Sequence, residues 1–274
     1  MPKKLVISGY GWLAGYLAAS VKDEYSLVAT SRSEEKVGAI NAQGIEGVQF
    51  TLGDPTSVLT KHLSGATFVI NIPPGRRSTN LETFTKNMLS LIDDAIAANV
   101  SHIVFISTTS VYGDATSNRA SDIITENSPT SPETASAHAH VTIENRLLTL
   151  SEKVKVSIVR LAGLVGPDRH PAKSLSGRDI SAGNKRVNLV HILDVVEALK
   201  VIITKPLSNK VFQLCSSAHP KRGDYYVKAA QAFNIPEPSF SDTELAPCGK
   251  VINAEKSWKE VGISPTYADP YDMY

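Results

Sequence analysis

Along the first two thirds of the chain, short runs dense in Val, Ile and Leu alternate with longer stretches whose apolar residues recur at helical spacing. The pattern predicts strands over 4–8, 26–29, 48–51, 68–71, 102–107 and 154–160, and helices over 12–20, 33–42, 79–99, 132–151 and 193–203. Most of the strands are continuous apolar runs rather than alternating ones, as burial on both faces requires. The chain is therefore expected to form an α/β fold, a doubly wound parallel sheet covered by helices on both faces. The segment 167–187 is rich in Gly, Ser, Pro, Lys and Arg and reads as a loop. After Lys210 the alternation breaks up, with Pro220, Pro236, Pro238, Pro247 and Pro265 punctuating short elements. The expected organisation is a sheet domain over 1–168, completed by 188–208, with a small substrate-side lobe built from 169–187 and 209–274.

Composition narrows the partners. The 274 residues suffice for one large core, or one core and a satellite. Lys plus Arg number 28 against 27 Asp plus Glu, a formal net charge of +1. That balance offers no broad attraction to nucleic acid or to an anionic membrane. No apolar run reaches the ~20 residues of a membrane helix, and the longest, around 189–199, is broken by His191, Asp194 and Glu197. The apolar run that follows the N-terminal lysines ends at Ser8, too soon for a signal-peptide core, so the expected location is the cytoplasm. Cys215 and Cys248 stand far apart without metal-ligand spacing and are expected to be buried or inert thiols.

The first strand runs directly into Gly9-Tyr10-Gly11-Trp12-Leu13-Ala14, a G-x-G-x-x-A fingerprint that opens a helix. Gly9 permits the tight turn, Gly11 lets the backbone approach a pyrophosphate, and small Ala14 lets helix and strand pack closely. The helix N-terminus adds unpaired N–H groups for the phosphates. This strand–glycine–helix context marks a Rossmann-type dinucleotide site. A ribose-reading residue should stand at the end of the second strand, and the residues there are Ala29-Thr30-Ser31-Arg32, without an acid. Arg32 beside the Ser31 hydroxyl suits the 2′-phosphate of NADP, because a guanidinium offers a planar fork of donors. NADP is therefore expected ahead of NAD. The other reading of Arg32 is a solvated cation at a helix start, paired with Glu34 or Glu35.

These residues together resemble the extended short-chain dehydrogenase/reductase superfamily, the NAD-dependent epimerase/dehydratase group, over nearly the whole chain. The matching pieces occur in family order: the Gly9 fingerprint, Gly53-Asp54-Pro55, the stretch from Phe105 through Thr108 to Tyr112 and Gly113, the residues from Arg160 to Pro167, and Val190-His191-Ile192-Leu193-Asp194. The resemblance implies that Asp54 and Pro55 lie near the adenine, that Ile72 and Pro73 line the cofactor, and that Leu161, Ala162 and Gly163 border the nicotinamide. Asn71-Ile72-Pro73-Pro74 and the Gly-Trp-Leu of the first loop look like an atypical branch.

The departure lies in the catalytic helix. Family members carry Tyr-x-x-x-Lys there, with a Glu four residues beyond the Lys. Aligning Glu144 with that Glu puts Ser136 in the Tyr place and His140 in the Lys place. A serine hydroxyl lacks the acidity of a phenol, so the usual proton shuttle is not expected. Thr108 falls at the family's Ser/Thr position, where it can hydrogen-bond a carbonyl oxygen. Two readings stand for His140: a ligand of the cofactor ribose, supplying charge when protonated, or a helix-surface residue beside His138. Tyr112 either replaces the missing acid or forms part of a pocket wall. Arg160 is expected to orient the loop after its strand, and Asp194 to act as a helix-start acid. Lys221-Arg222-Gly223-Asp224-Tyr225-Tyr226 reads either as a binder of an anionic substrate or as a solvated turn with two core tyrosines.

Two functions follow. The first is an NADP-binding, epimerase/dehydratase-like oxidoreductase acting on a nucleotide sugar or another small polar carbonyl or hydroxyl compound. The second is a dinucleotide-binding sensor or scaffold that has lost the proton shuttle. Neither needs a metal, nor any partner beyond a small-molecule substrate, and the oligomeric state is left open.

Overall fold

Leu5, Val6 and Ile7 of the first strand are wholly buried, as are Phe68 and Ile70 of the fourth and Ile103 and Val104 of the fifth. A strand with no solvent face needs helices on both sides of its sheet, and the computed structural model, which describes residues 3–75, 80–114 and 123–274, has that architecture. Its first elements are β1 (Lys3–Ser8), α1 (Trp12–Val21), β2 (Tyr25–Ser31), α2 (Glu34–Asn41), β3 (Glu46–Gln49), α3 (Ser57–Thr60), β4 (Thr67–Ile70), α4 (Leu81–Ala97) and β5 (His102–Thr108). There follow β6 (Ile123–Ile124), α5 (Ala135–Thr149), β7 (Lys155–Leu161), β8 (Gly163–Val165), α6 (Pro171–Leu175), β9 (Asp179–Ile180) and β10 (Leu189–His191). The last are α7 (Ile192–Thr204), β11 (Lys210–Leu214), α8 (Arg222–Ala232), β12 (Ser239–Phe240), β13 (Val251–Ile252) and α9 (Glu255–Val261).

Seven strands form the main sheet in the order β11-β7-β5-β4-β1-β2-β3. The pairings of β1 with β2 and β4, of β2 with β3, and of β4 with β5 are all parallel. The strand order reverses between β1 and β4. In an open parallel sheet that is where a crevice opens beyond the carboxyl ends of the strands. The predicted strands and helices all occur, with ends shifted by at most three residues. Thr79, the predicted start of the fourth helix, lies outside the described residues; the described helix is capped by the Asn80 side chain, which accepts from the Thr83 amide.

Two features depart from the sequence expectation. The stretch Lys210–Leu214, placed with the C-terminal lobe, is a seventh strand of the sheet. Its Lys and Gln disguise it, yet Gln213 is fully buried because its amide donates to the carbonyls of Ile124 and Asn253. The segment 167–187 is not wholly irregular either: it contains α6 and β9, and β9 pairs with β12.

The chain divides into two compact units. The first comprises Met1–Val111, Pro132–Val159 and Leu199–Val211. Its core packs Met88, Leu91, Ile92 and Ala95 of α4 with Ile143 and Leu147 of α5 over Phe68 and Phe105. The Arg146–Asp93 ion pair joins the same two helices at the surface. The second comprises Tyr112–Ser131, Arg160–Ala198 and Phe212–Tyr274. Its core is aromatic: the His170 ring lies among Tyr225, Tyr226, Phe233 and Tyr274. Among the described residues no helix is long and apolar enough to cross a membrane.

Two buried histidines make the fold acid-sensitive. Ser157 Oγ donates to the Leu207 carbonyl, so its oxygen accepts from His102 Nε2–H at 2.8 Å, and His102 Nδ1 is buried without a partner. Burial, with Lys155 nearby, lowers the His102 pKa to about 4. His170 Nδ1 accepts from the Ala172 amide and Nε2–H donates to the Tyr225 hydroxyl; burial and Lys173 lower its pKa to about 4 too. The unfolded chain takes up these protons near pH 6.5 while the folded chain resists them until about pH 4. Stability is therefore full above pH 6.5 and falls as pH drops from 6.5 to 4, by about 3 kcal/mol per histidine. Denaturant titrations across that window should show the loss, and His102→Gln should shrink it by about 3 kcal/mol; a slope identical in wild type and variant would sink the assignment.

Candidate functional site

The fingerprint loop is tied down by the ends of three strands. Gly9 has φ +92°, and a Cβ there would stand 2.6 Å from the Asn71 carbonyl oxygen, so both conformation and space demand glycine. Its amide donates to Thr30 Oγ1 at 3.0 Å, and its carbonyl accepts from Asn71 Nδ2 at 3.0 Å. The Tyr10 amide donates to the Thr30 carbonyl, and the Gly11 amide turns back to the Gly9 carbonyl. With those three amides used, the backbone donors that remain belong to the first turn of α1, including Leu13 and Ala14. Gly11 caps that helix without a side chain, and a Cβ at Gly11 would meet nothing within 4 Å. Ala14 is buried against the sheet, as the fingerprint requires. Helix amides facing open space beside a glycine are what a pyrophosphate needs.

A cavity of about 740 Å³ opens beside this loop, within the range of small-molecule sites. Gly9, Tyr10 and Gly11 form one wall, Asn71, Ile72 and Pro73 another, and Ser31 and Arg32 stand at the end of β2. Tyr10 is braced by its hydroxyl, which donates to Gln43 Oε1 at 3.0 Å. The Arg32 backbone carbonyl is held by Gln49 Nε2, while its guanidinium is exposed and forms no ion pair with Glu34 or Glu35. Lys36, one turn into α2, lines the same cavity. Trp12 and Leu13 do not line it: Trp12 packs edge-on against Tyr16, and Leu13 is buried beneath the helix.

Thr51 and Leu52, rather than Asp54 and Pro55, reach the cavity from the turn after β3. The Asp54 carboxylate accepts from the Thr51 amide at 2.8 Å and shapes that turn, and Gly53 takes φ +106° under the Asn87 amide. Spacing along the chain does not single out Lys36, or assign Thr30 and Asn71 a role in the site. Thr30 and Asn71 are identifiable only once the carboxyl ends of β2 and β4 are known to flank Gly9.

The α5 helix is registered on β5 by two buried contacts. Ser107 Oγ donates to Glu144 Oε1 at 2.5 Å, and the rings of Phe105 and His140 pack 5.9 Å apart. Thr108 ends β5 half-buried, its Oγ1 donating to Ser110 Oγ and accepting the Ser110 amide, both at 3.1 Å. His140 is buried, not a surface residue, and this overturns the surface alternative. A carbonyl only accepts, so the 2.9 Å contact between Nδ1 and the Ser136 carbonyl puts the proton on Nδ1. Burial lowers the His140 pKa, outweighing that bond and Glu144, which both raise it. The group in the lysine place is thus a neutral imidazole with its proton on Nδ1.

In the second unit, Tyr112 is buried and its hydroxyl heavily engaged. It donates toward Gln213 Oε1 at 2.9 Å and the Thr125 carbonyl at 3.2 Å and accepts from Arg160 Nη1 at 2.8 Å, with the guanidinium 4.9 Å from its ring centroid. Leu161 and Ala162 are buried, and Gly163 lies so close to Leu189 that a Cβ would meet its Cδ2 at 2.8 Å. Asp194 accepts from the amides of Thr266 and Tyr267 and so pins the C-terminal segment. Tyr225 and Tyr226 are core residues, while Lys221 donates to the Thr243 carbonyl at 2.6 Å and Arg222 lies over the Phe240 ring. Both cysteines are free, and burial pushes the Cys215 thiol up to about 12. Among the described residues no group of three His, Cys, Asp or Glu side chains could hold a metal ion.

Comparison with known proteins gives a consistent picture. Residues 5–215 match the NAD dependent epimerase/dehydratase family. Protein YeeZ of Escherichia coli K12 is 31% identical over 277 residues, covering 99% of this chain and 98% of that protein. A functionally unknown conserved protein from Silicibacter pomeroyi superposes with TM-score 0.77 at 21% identity, over 99% of this chain and 96% of its own. UDP-glucuronic acid 4-epimerase from Bacillus cereus, solved in complex with NAD, superposes with TM-score 0.79 at 14% identity, over 98% and 95%.

The two fingerprint glycines are expected to fail differently. Gly9→Ala places a Cβ against the Asn71 backbone at positive φ and should destabilise the fold by about 2–4 kcal/mol. Gly11→Val projects into open space and should keep the native circular dichroism and melting temperature while weakening dinucleotide binding at least tenfold. Unimpaired NADP binding by folded Gly11→Val would place the nucleotide elsewhere.

Proposed function

The chain belongs to the NAD dependent epimerase/dehydratase family, and we propose that it binds NADP in preference to NAD and uses it in hydride transfer with a small polar carbonyl or hydroxyl compound, a nucleotide sugar being the leading class. The observation that carries the cofactor reading is Arg32: it stands with Ser31 at the end of β2, lines the cavity beside the fingerprint, and forms no ion pair with its neighbouring acids. Where an NAD site has a carboxylate for the ribose hydroxyls, a guanidinium suits a 2′-phosphate. Structural neighbours solved with NAD together with UDP-glucose or UDP-glucuronic acid support the substrate class by fold analogy alone. The cytoplasm, where thiols stay reduced, agrees with the two free cysteines.

When bound, the nicotinamide supplies the hydride acceptor or donor. In this reading the first-turn amides of α1 hold the pyrophosphate, Ile72 and Pro73 line the cofactor, and Leu161, Ala162 and Gly163 border the nicotinamide. Asp54 and Pro55 act near the adenine indirectly, by shaping the turn that presents Thr51 and Leu52. Thr108 polarises the substrate oxygen by turning its hydroxyl from Ser110 to the substrate. With its proton on Nδ1, His140 presents Nε2 as an acceptor and holds a water that moves the proton. Tyr112, gripped by Arg160 and Gln213, serves as a positioning residue of the pocket wall.

A second reading, a dinucleotide sensor without turnover, is favoured by one observation: Ser136 and a neutral His140 stand where a phenol and a permanent cation are required. One set of measurements separates the two. Wild type should bind NADPH more tightly than NADH, and Arg32→Ala should weaken NADPH by about one to two decades with little change for NADH; equal wild-type affinities would reject NADP. With nucleotide sugars, slow turnover that Thr108→Val lowers roughly a hundredfold at unchanged cofactor affinity supports the enzyme. Tight NADPH binding with no turnover on any such substrate selects the sensor.

A further inference from the structure

We propose that Lys36 is a specificity-determining residue of the cofactor site, a second cation that closes on the 2′-phosphate opposite Arg32; this rests on the NADP reading above and extends it to a residue that reading does not need. Three observations carry it. Lys36 and Arg32 line the same cavity, Arg32 from the end of β2 and Lys36 from the first turn of α2. Neither forms an ion pair among the described residues, although Glu34 and Glu35 adjoin both in sequence. The third is the placement of Lys36 against the helix dipole.

A helix N-terminus carries a partial positive charge, and a cation in its first turn is disfavoured by roughly 0.3–1 kcal/mol. The α2 helix begins at Glu34 with Ser33 as its cap, and the Ser33 hydroxyl accepts the Lys36 amide itself at 3.4 Å. Lys36 therefore sits at the positive pole, and Arg32 stands just before it. Glu34 and Glu35 in the same first turn offset the helix pole without pairing with either cation, so both side chains stay available to an anion in the cavity. A locally unfavourable choice of this kind marks a functional site more often than a structural one.

The chemistry of the anion follows from its place. The cavity also holds Ser31, a largely buried hydroxyl, and Tyr10, whose ring is braced by Gln43 on the C-terminal side of the same helix. A phosphomonoester carries a charge between −1.5 and −2 at neutral pH, enough to engage both cations, whereas the 2′-hydroxyl of NAD offers a single neutral group. Arg32 supplies planar, directional donors and Lys36 a compact point charge. Lys36 consequently contributes to NADP affinity and nothing to NAD affinity.

The test uses the full-length protein and calorimetric titration with NADP, NAD, adenosine 2′,5′-bisphosphate and adenosine 5′-monophosphate. Lys36→Gln should weaken NADP and the bisphosphate roughly tenfold, leave NAD and the monophosphate within twofold, and flatten the dependence of NADP affinity on salt. Lys36→Arg, which keeps the charge, should retain most of the preference. An unchanged NADP-to-NAD ratio in Lys36→Gln, while Arg32→Ala collapses it, overturns the role of Lys36 and leaves the NADP reading standing. Equal losses for both cofactors overturn it as well, since a specificity group must discriminate. If wild type itself shows no preference, the NADP reading falls and Lys36 with it.

Discussion

The Asn71 carbonyl presses on Gly9 so closely that no side chain fits between them, and the cavity owes its form to that approach. The contact joins the carboxyl ends of β1 and β4 at the point where the strand order reverses, and Thr30 brings in the end of β2 through both its hydroxyl and its carbonyl. Because the amides of Gly9, Tyr10 and Gly11 are consumed in this knot, the loop cannot relax to meet a ligand with them. What it can offer is fixed in advance: the first turn of α1 and the open space over Gly11. Such preorganisation lowers the ordering cost of binding an anion. A glycine required at one position by crowding and at the next but one by emptiness is how a single fingerprint serves both fold and site.

The sheet was legible because two-sided burial writes continuous apolar runs, as in Leu5-Val6-Ile7 and Ile103-Val104-Phe105. The strand at Lys210–Leu214 was not, because Gln213 is buried through hydrogen bonds to Tyr112, Ile124 and Asn253 that only the tertiary structure supplies. The same limit applies to the site. Glycines and the cation at the end of β2 follow from spacing along the chain, whereas Asn71, Thr30 and Lys36 belong to it by virtue of strand order and helix phase. Asp54 illustrates the converse: the motif is present, but its carboxylate accepts from the amide of Thr51, and it is Thr51 that lines the cavity. Tyr225 and Tyr226 admit two readings in sequence, a binding cluster or a pair of core tyrosines, and they pack with His170 in the core.

Charge is distributed unevenly along the proposed cofactor path. At the β2 end two cations stand beside a helix N-terminus; on α5, where the family places a lysine, the chain has an imidazole that burial keeps neutral. Burial against Phe105 favours the neutral ring, outweighing the Ser136 carbonyl, which fixes the tautomer by holding the proton on Nδ1 but itself favours the charged form. Glu144, whose carboxylate accepts from Ser107, pulls the other way, but burial outweighs it.

That asymmetry separates holding the dinucleotide from acting with it. A permanent cation on α5 would both bind the ribose and lower the pKa of a neighbouring phenol; this chain lacks the phenol as well, so a lysine there would have only the first task left. A neutral acceptor there, on the proposed reading, removes attraction at that end of the cofactor and shifts the electrostatic share of the binding energy to the adenosine end. On the proposed reading, affinity then rests on charges that are exposed and open to screening at Arg32 and Lys36, rather than on a buried ion near the reacting carbon. Discrimination between NADP and NAD is correspondingly an electrostatic property of the β2–α2 turn. On the same reading, proton movement falls to the water held by His140 and to the hydroxyls at the end of β5, where Thr108 donates to Ser110.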